Sequence, residues 1–228
     1  DLEAWHTPVD AEEMADLRRR HGFDGKFVAG YIGTIGMAHG VEILYEAARR
    51  CPDPDVVFLV VGTGADRWRI EQLQAAKPLA NLVLLEKASR EEVRYLYALC
   101  DVNVVHLKAV PLFETVIPSK IFEAMVTRTP IALGVRGEAR AIVEEAGAGL
   151  YFEPENAEAL VQVVLRLKNE PALHAAMAGS GYEHVCRVYD RSEIAHRYAA
   201  LLEHVAFGTI RTHRRSEEMA GLEYRSWV

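Results

Sequence analysis

Cysteine is scarce in this sequence. Cys51, Cys100 and Cys186 are the only three in 228 residues, and no pair stands at C-x-x-C spacing. Such a set reads as buried, reduced thiols in a reducing compartment, not as a disulfide frame or a zinc site. Long apolar runs are lacking as well. None approaches the roughly 20 residues that cross a bilayer, so no transmembrane helix is expected. H-E-x-x-H is absent, and no metal is expected. Positive charge is in deficit, with 26 Lys and Arg against 33 Asp and Glu and a net charge of −7. That balance argues against broad nucleic-acid binding but leaves room for one local basic pocket. A signal peptide and an initiating Met are both missing. The opening at Asp1-Leu2-Glu3-Ala4-Trp5 predicts a fragment of a longer protein.

What is present is ordinary globular material, 50% hydrophobic and 26% charged, long enough for one large domain or two small ones. Apolar runs of strand length alternate with amphipathic stretches of helix length. The strands are expected at Phe27–Ile32, Val56–Val61, Asn81–Leu85, Asp101–Val105, Thr129–Gly134 and Gly149–Phe152. Six unbroken apolar residues, as in Val56–Val61, mark a strand buried on both faces. Helices are expected over residues 9–21, Val41–Arg50, Ala65–Ala76, from Ser89 on, over Gly137–Ala146, Ala157–Asn169, Pro171–Val185 and Arg191–Val205. Ser89 with Glu92 has the spacing of a capping box, and Asn156 caps the helix after it. The alternation predicts an α/β, Rossmann-like, doubly wound parallel sheet of about six strands with a helical C-terminal segment. Such sheets bind ligands beyond the C-terminal ends of their strands. Gly33-Thr34-Ile35-Gly36 and Gly62-Thr63-Gly64 lie there.

One stretch carries more chemistry than the rest, Phe113-Glu114-Thr115-Val116-Ile117-Pro118-Ser119-Lys120-Ile121-Phe122-Glu123. Pro118 suits the first position of a helix. Free N–H groups at a helix start attract anions, and Lys120 adds a charge. Glu123, a turn on, can accept two hydroxyls from a ribose diol. The stretch reads either as an ordinary helix start or as a nucleoside-diphosphate site. A dinucleotide dehydrogenase is disfavoured, because Gly33, Gly36 and Gly40 do not form G-x-G-x-x-G and no acidic residue closes the second strand at Val61.

Taken in order, Phe27–Gly40, Val60–Gly64, Asn81–Leu85, Pro118–Ala124 and Thr129–Gly149 resemble the C-terminal, donor-binding domain of a family 4 glycosyltransferase of the GT-B fold. The likeness is to the bacterial cell-surface polysaccharide branch and spans residues 1–206, with a polar, basic tail at 207–228. It implies half of a two-domain enzyme whose N-terminal acceptor domain is absent here. The implied activity is retaining, metal-independent transfer from a nucleotide-diphosphate sugar, UDP or GDP type, to a glycan or lipid-linked acceptor. No cofactor is implied. A cytoplasmic protein is expected, and a polyprenyl-linked acceptor would place it at the inner face of the cell membrane. The isolated domain is expected to bind nucleotide without turnover.

The resemblance also assigns residues. Glu123 matches the second glutamate of E-x7-E, the ribose ligand. Thr115 falls on the first, and Glu114 stands one position early. Lys120, Glu114 and Thr115 are the implied catalytic positions. Val116, Ile117, Pro118, Ser119 and Lys120 correspond to the diphosphate cradle, through the N–H groups of Ile117, Ser119 and Lys120. Gly33 and Gly36 belong to the loop after the first strand. Thr34 and His39 stand where the family often has Arg and Lys. Lys87 falls in the segment beside the base. Two other readings stay open: a non-catalytic nucleotide-binding module, favoured by Thr34, His39 and Thr115, and a GT-B-type sugar-nucleotide epimerase. His106, at the end of a parallel strand among apolar neighbours, reads as a satisfied core histidine. Asp101 reads as a residue tuning the start of its strand, and Trp5, Trp68 and Trp227 as packing or tail residues.

Overall fold

Each βα unit can bury its apolar face only against its neighbours, and the chain closes them into one sheet. The computed structural model describes Trp5 and residues 10–207. The strands are β1 (Phe27–Ile32), β2 (Val56–Val61), β3 (Leu82–Leu85), β4 (Val102–His106), β5 (Ile131–Gly134) and β6 (Gly149–Tyr151). Their order is β3-β2-β1-β4-β5-β6. Every pairing is parallel, with Phe27 opposite Val56 and Ile32 opposite Val61 at the centre. The fold class expected from the alternation is the one observed.

The helices of the first unit are α1 (Ala11–Arg20), α2 (Glu42–Arg50), α3 (Arg67–Ala76), α4 (Arg90–Leu99), α5 (Lys120–Val126), α6 (Glu138–Glu145), α7 (Ala157–Asn169) and α8 (Pro171–Val188). Strand side chains alternate between two cores, as the two-residue period demands. Val57, Leu59 and Val61 face a layer with Tyr97, Ile121, Met125 and Val185. Val56, Phe58 and Val60 face one with Leu44, Ile70, Leu160 and Val164. All six residues of β2 are buried, so its composition is apolar throughout. Local signals set the helix starts. Asp10 accepts from the N–H groups of Glu12 and Glu13, the full capping box at Ser89 and Glu92 forms, and Asn156 accepts from Ala159 N. Asp101 anchors β1 instead of doing chemistry: its carboxylate accepts from Val28 N at 2.7 Å and lies 3.7 Å from Arg18.

Several expectations need correcting. A 3-10 turn over Pro111–Thr115 was not foreseen. Helix α5 begins at Lys120 with Ser119 as its cap, so Pro118 precedes the helix instead of opening it. Only Cys100 is buried among the three free thiols; Cys51 and Cys186 are half-buried. Trp68 is exposed and carries the Arg69 guanidinium 4.8 Å from its ring, whereas Trp5 packs edge-on against Tyr97 at 5.6 Å. Trp227 and the basic tail beyond residue 207 lie outside the described residues. The second unit, Arg191–Val228, contributes α9 (Arg191–Phe207), whose Ile194, Tyr198, Leu201 and Leu202 are exposed. Among the described residues no helix is long and apolar enough to cross a membrane.

Candidate functional site

The loops after β1 and β2 run side by side. Gly33 N donates to Val61 O at 2.9 Å, and Ile35 N to Thr63 O at 2.9 Å. The approach is close enough that a Cβ on Gly62 would collide with the Gly33 carbonyl oxygen, and Gly62 has φ +138. Beyond the two loops opens a cleft of about 360 Å³. Gly33 and Thr34 line it from β1, Gly62 and Thr63 from β2, Lys87 from β3, Tyr97 from α4 and Glu123 from α5. A hollow of about 330 Å³ adjoins it, sharing Val61, Lys87 and Ala88, with Leu17, Arg20 and His21 at its far wall. The site therefore lies at the C-terminal ends of the strands, where the sheet order turns.

Lys120 reaches into this region from α5. Its ammonium stands 5.1 Å from the Tyr31 ring centroid and close over Gly33, where an added Cβ would come within 3.0 Å. Burial pulls its pKa below the ordinary lysine range, and the nearby Glu123 charge opposes that shift. Tyr31 holds the floor beneath it, donating from its hydroxyl to Thr34 O at 2.6 Å. The N–H groups of Ile117, Ser119 and Lys120 have no protein acceptor among the described residues. Glu123 takes two hydroxyls already, from Tyr97 at 2.6 Å and from Ser119 at 3.4 Å. A carboxylate has about four acceptor sites, so room remains for a diol.

His39 closes its own turn. Gly36 N donates to Nδ1 at 3.1 Å, and burial, then the Lys120 charge, lower its pKa despite the backbone of Gly36. A neutral His39 adds no cation here. His106 is fully partnered: Nδ1 lies 2.7 Å from His39 O, Nε2 accepts from Glu155 N at 2.9 Å, and the ring stacks on Phe152. Burial lowers its pKa as well. It is a core histidine that ties three loops together.

The structure gathers Gly33, Thr34, Lys87, Lys120, Ser119 and Glu123, and leaves others aside. Glu114 points to Arg136, 3.9 Å away, in a separate crevice with Lys108 and Val135. Thr115 donates to Leu112 O at 3.2 Å within the 3-10 turn. Neither lines the cleft. Val116 and Ile117 are exposed beside it. Lys108, in the crevice with Glu114, stands 3.8 Å from Asp66. A D-x-D triplet, which the expectation of no metal overlooks, is present at Asp53-Pro54-Asp55. It sits before β2, at the opposite end of the sheet, and each carboxylate meets a lysine: Lys168 at 2.5 Å and Lys26 at 2.7 Å. Three residues of the site escaped the sequence reading. Tyr31 and Tyr97 look like core positions within a strand and an amphipathic helix. Arg67, which donates to Leu85 O at 2.7 Å and to Gly62 O and so fastens the ends of β2 and β3, looks like a solvated charge.

The chain resembles known proteins in sequence and in fold. The chain is 26% identical over 166 residues to an alpha-D-kanosaminyltransferase of Streptomyces kanamyceticus, covering 72% of this chain and 42% of that protein. Its fold matches Anabaena Alr3699/HepE in complex with UDP, with a TM-score of 0.77 at 20% identity over 89% of this chain and 55% of that one. It also matches the C-terminal domain of a glycosyl transferase group 1 family protein, LpcC, from Francisella tularensis, with a TM-score of 0.67 at 20% identity over 84% of this chain and 98% of that one. The chain thus spans about half or less of the first two. A sequence profile described as glycosyl transferases group 1 matches residues 13–184. That match runs from α1 into α8 and takes in all six strands and every loop of the cleft, so the chain belongs to the glycosyl transferases group 1 family.

Proposed function

We propose that this chain is the donor-binding, C-terminal half of a family 4, GT-B glycosyltransferase and that the cleft over Gly33 holds a nucleotide-diphosphate sugar of the UDP type. The observation that carries the reading is that Glu123 lines the cleft while Lys120, one turn earlier on the same helix, stands over Gly33 in the paired loops of β1 and β2. Glu123 accepts the ribose hydroxyls. Lys120 and the unpaired N–H groups of Ile117, Ser119 and Lys120 take the diphosphate. Lys87 stands at the border between the cleft and the adjoining hollow, which receives the base. HepE, which shares the fold, was crystallised with UDP, and this supports the choice of nucleotide.

In this reading the glycosidic bond to the β-phosphate breaks, the sugar passes to an acceptor hydroxyl with retention, and the nucleoside diphosphate leaves. Negative charge grows on the β-phosphate as the bond opens. A desolvated ammonium and fixed N–H donors stabilise such charge better than water does, because they need no reorganisation. Glu114 and Thr115 would join only if the 3-10 turn rearranged when donor binds. The acceptor, a glycan or a polyprenyl-linked chain at the inner membrane face in polysaccharide assembly, belongs to the other half. The chain alone binds donor and does not transfer. Residues 1–206 would form the donor domain and 207–228 a tail.

A second reading, a nucleotide-binding module without catalysis, draws on Glu114 turning to Arg136 and on the neutral His39. Calorimetric titration with UDP, GDP and ADP tests the proposal, with Glu123→Ala and Lys120→Ala alongside. Binding of one diphosphate that weakens at least tenfold in each variant is expected, from the loss of a charge-assisted hydrogen bond. Equal binding by the wild type and both variants would refute the assignment. Transfer by the full-length protein separates the enzyme from the module.

A further inference from the structure

We infer that Tyr97 is a positioning residue for donor recognition, holding the Glu123 carboxylate in the orientation that receives the ribose diol. The inference rests on the donor-site reading above and extends it to a residue from a different helix. Tyr97 is 1% exposed and lies on α4, while Glu123 lies on α5. The phenol oxygen donates to Oε2 of Glu123 at 2.6 Å, a short contact to a charged acceptor. Ser119 approaches the other oxygen at 3.4 Å, a weaker hold. Of these two, Tyr97 makes the firm one.

The geometry suits positioning more than binding. The Tyr97 ring is wedged into the core with Val57, Leu59 and Ile121, and the ring of Trp5 meets its edge. Thr129 donates to the Tyr97 carbonyl at 3.2 Å and fixes the helix beneath it. The phenol therefore cannot swing, and the carboxylate it holds is fixed with it. Burial first, and the Glu123 charge second, push the phenol far above its ordinary pKa, so the hydroxyl keeps its proton and remains a donor. A free Glu side chain samples many rotamers and loses them on binding. Here that ordering is completed before the nucleotide arrives, which favours affinity without any contact from Tyr97 to the diol.

The test separates positioning from plain stability. Wild type, Tyr97→Phe, Glu123→Ala and the double variant are titrated with the tightest of UDP, GDP and ADP and with its 2′,3′-dideoxy form. Phe keeps the ring in the core, and thermal unfolding confirms that each variant is folded. Tyr97→Phe should bind the nucleotide about tenfold more weakly, the scale of one hydrogen bond to a charge. It should bind the dideoxy form like wild type and add nothing in the Glu123→Ala background. Equal losses on both nucleotides, no loss, or additive losses with Glu123→Ala would each overturn the inference. If the wild type itself binds no diphosphate, the donor-site reading falls and this inference with it. That result is distinct from the others because it appears without any mutation.

Discussion

Gly62→Ala tests the frame of the cleft. Gly62 has φ +138, and an added Cβ would meet the Gly33 carbonyl, its oxygen in collision and its carbon at 2.9 Å. Both are backbone atoms, which cannot rotate away. The left-handed conformation costs about 1–3 kcal/mol for a residue with a Cβ. Forcing the two loops apart costs about 1–3 kcal/mol more, as for other overpacking. The sum is about 4 kcal/mol, or a fall in Tm of roughly 8–16 °C for a domain of this size. Gly25→Ala is the control. Its φ is +68, but a Cβ there meets nothing within 4 Å. Only the conformational cost applies, about 1–2 kcal/mol and roughly 2–8 °C. Thermal unfolding followed by circular dichroism reads both. Diphosphate affinity should fall in Gly62→Ala, because the Gly33 loop is part of the cleft, and hold in Gly25→Ala. A Gly62→Ala protein that melts no earlier than Gly25→Ala would refute the claim that these loops touch.

Two further predictions concern buried polar groups. Burial holds the imidazoles of His39, His106 and His184 below their ordinary value of 6.5. Each therefore binds a proton more readily in the unfolded chain, so stability is complete above pH 6.5 and is lost as pH falls through the lowered native values. Melting between pH 7.5 and 5 should show that decline, and His106→Gln should flatten it; an unchanged slope would remove His106 from the account. Asn103 is 2% exposed in β4, beside Gly30 and Ile131, and neither of its amide atoms has a partner among the described residues. Asn103→Val should stabilise by about 1 kcal/mol and raise Tm by roughly 2–4 °C; a lower Tm would mean that the amide contributes to the native state.

The fold was legible because its signals are local and repeated. Phe27–Ile32 and Val56–Val61 form strands with the bounds their apolar runs suggest, since Lys26 and Asp55 at one end and glycine at the other interrupt the pattern. Ser89, Glu92 and Asn156 mark helix starts through bonds that span only three residues. The turn at Pro111–Thr115 was not legible, because five mixed residues show no period. Trp68 was misjudged for a related reason: its helix has one buried residue, Ile70, so an aromatic type says little about its depth.

By itself the sequence determined an alternating α/β chain with short glycine-rich loops, its caps, and the Ser119-Lys120-Ile121-Phe122-Glu123 turn that carries a cation and an acceptor together. Only the tertiary structure decided the strand order, and with it which loops share a cleft. Lys120 meets Gly33 and Tyr97 meets Glu123 because β1 lies between β2 and β4 and because α4 and α5 pack on the same face of the sheet. It also decided where Glu114 points: next to Thr115 in the chain, it faces Arg136 in space. The physical reason is range. Period and capping act over a few residues, whereas a binding site is a coincidence of side chains brought together by the packing of a whole core.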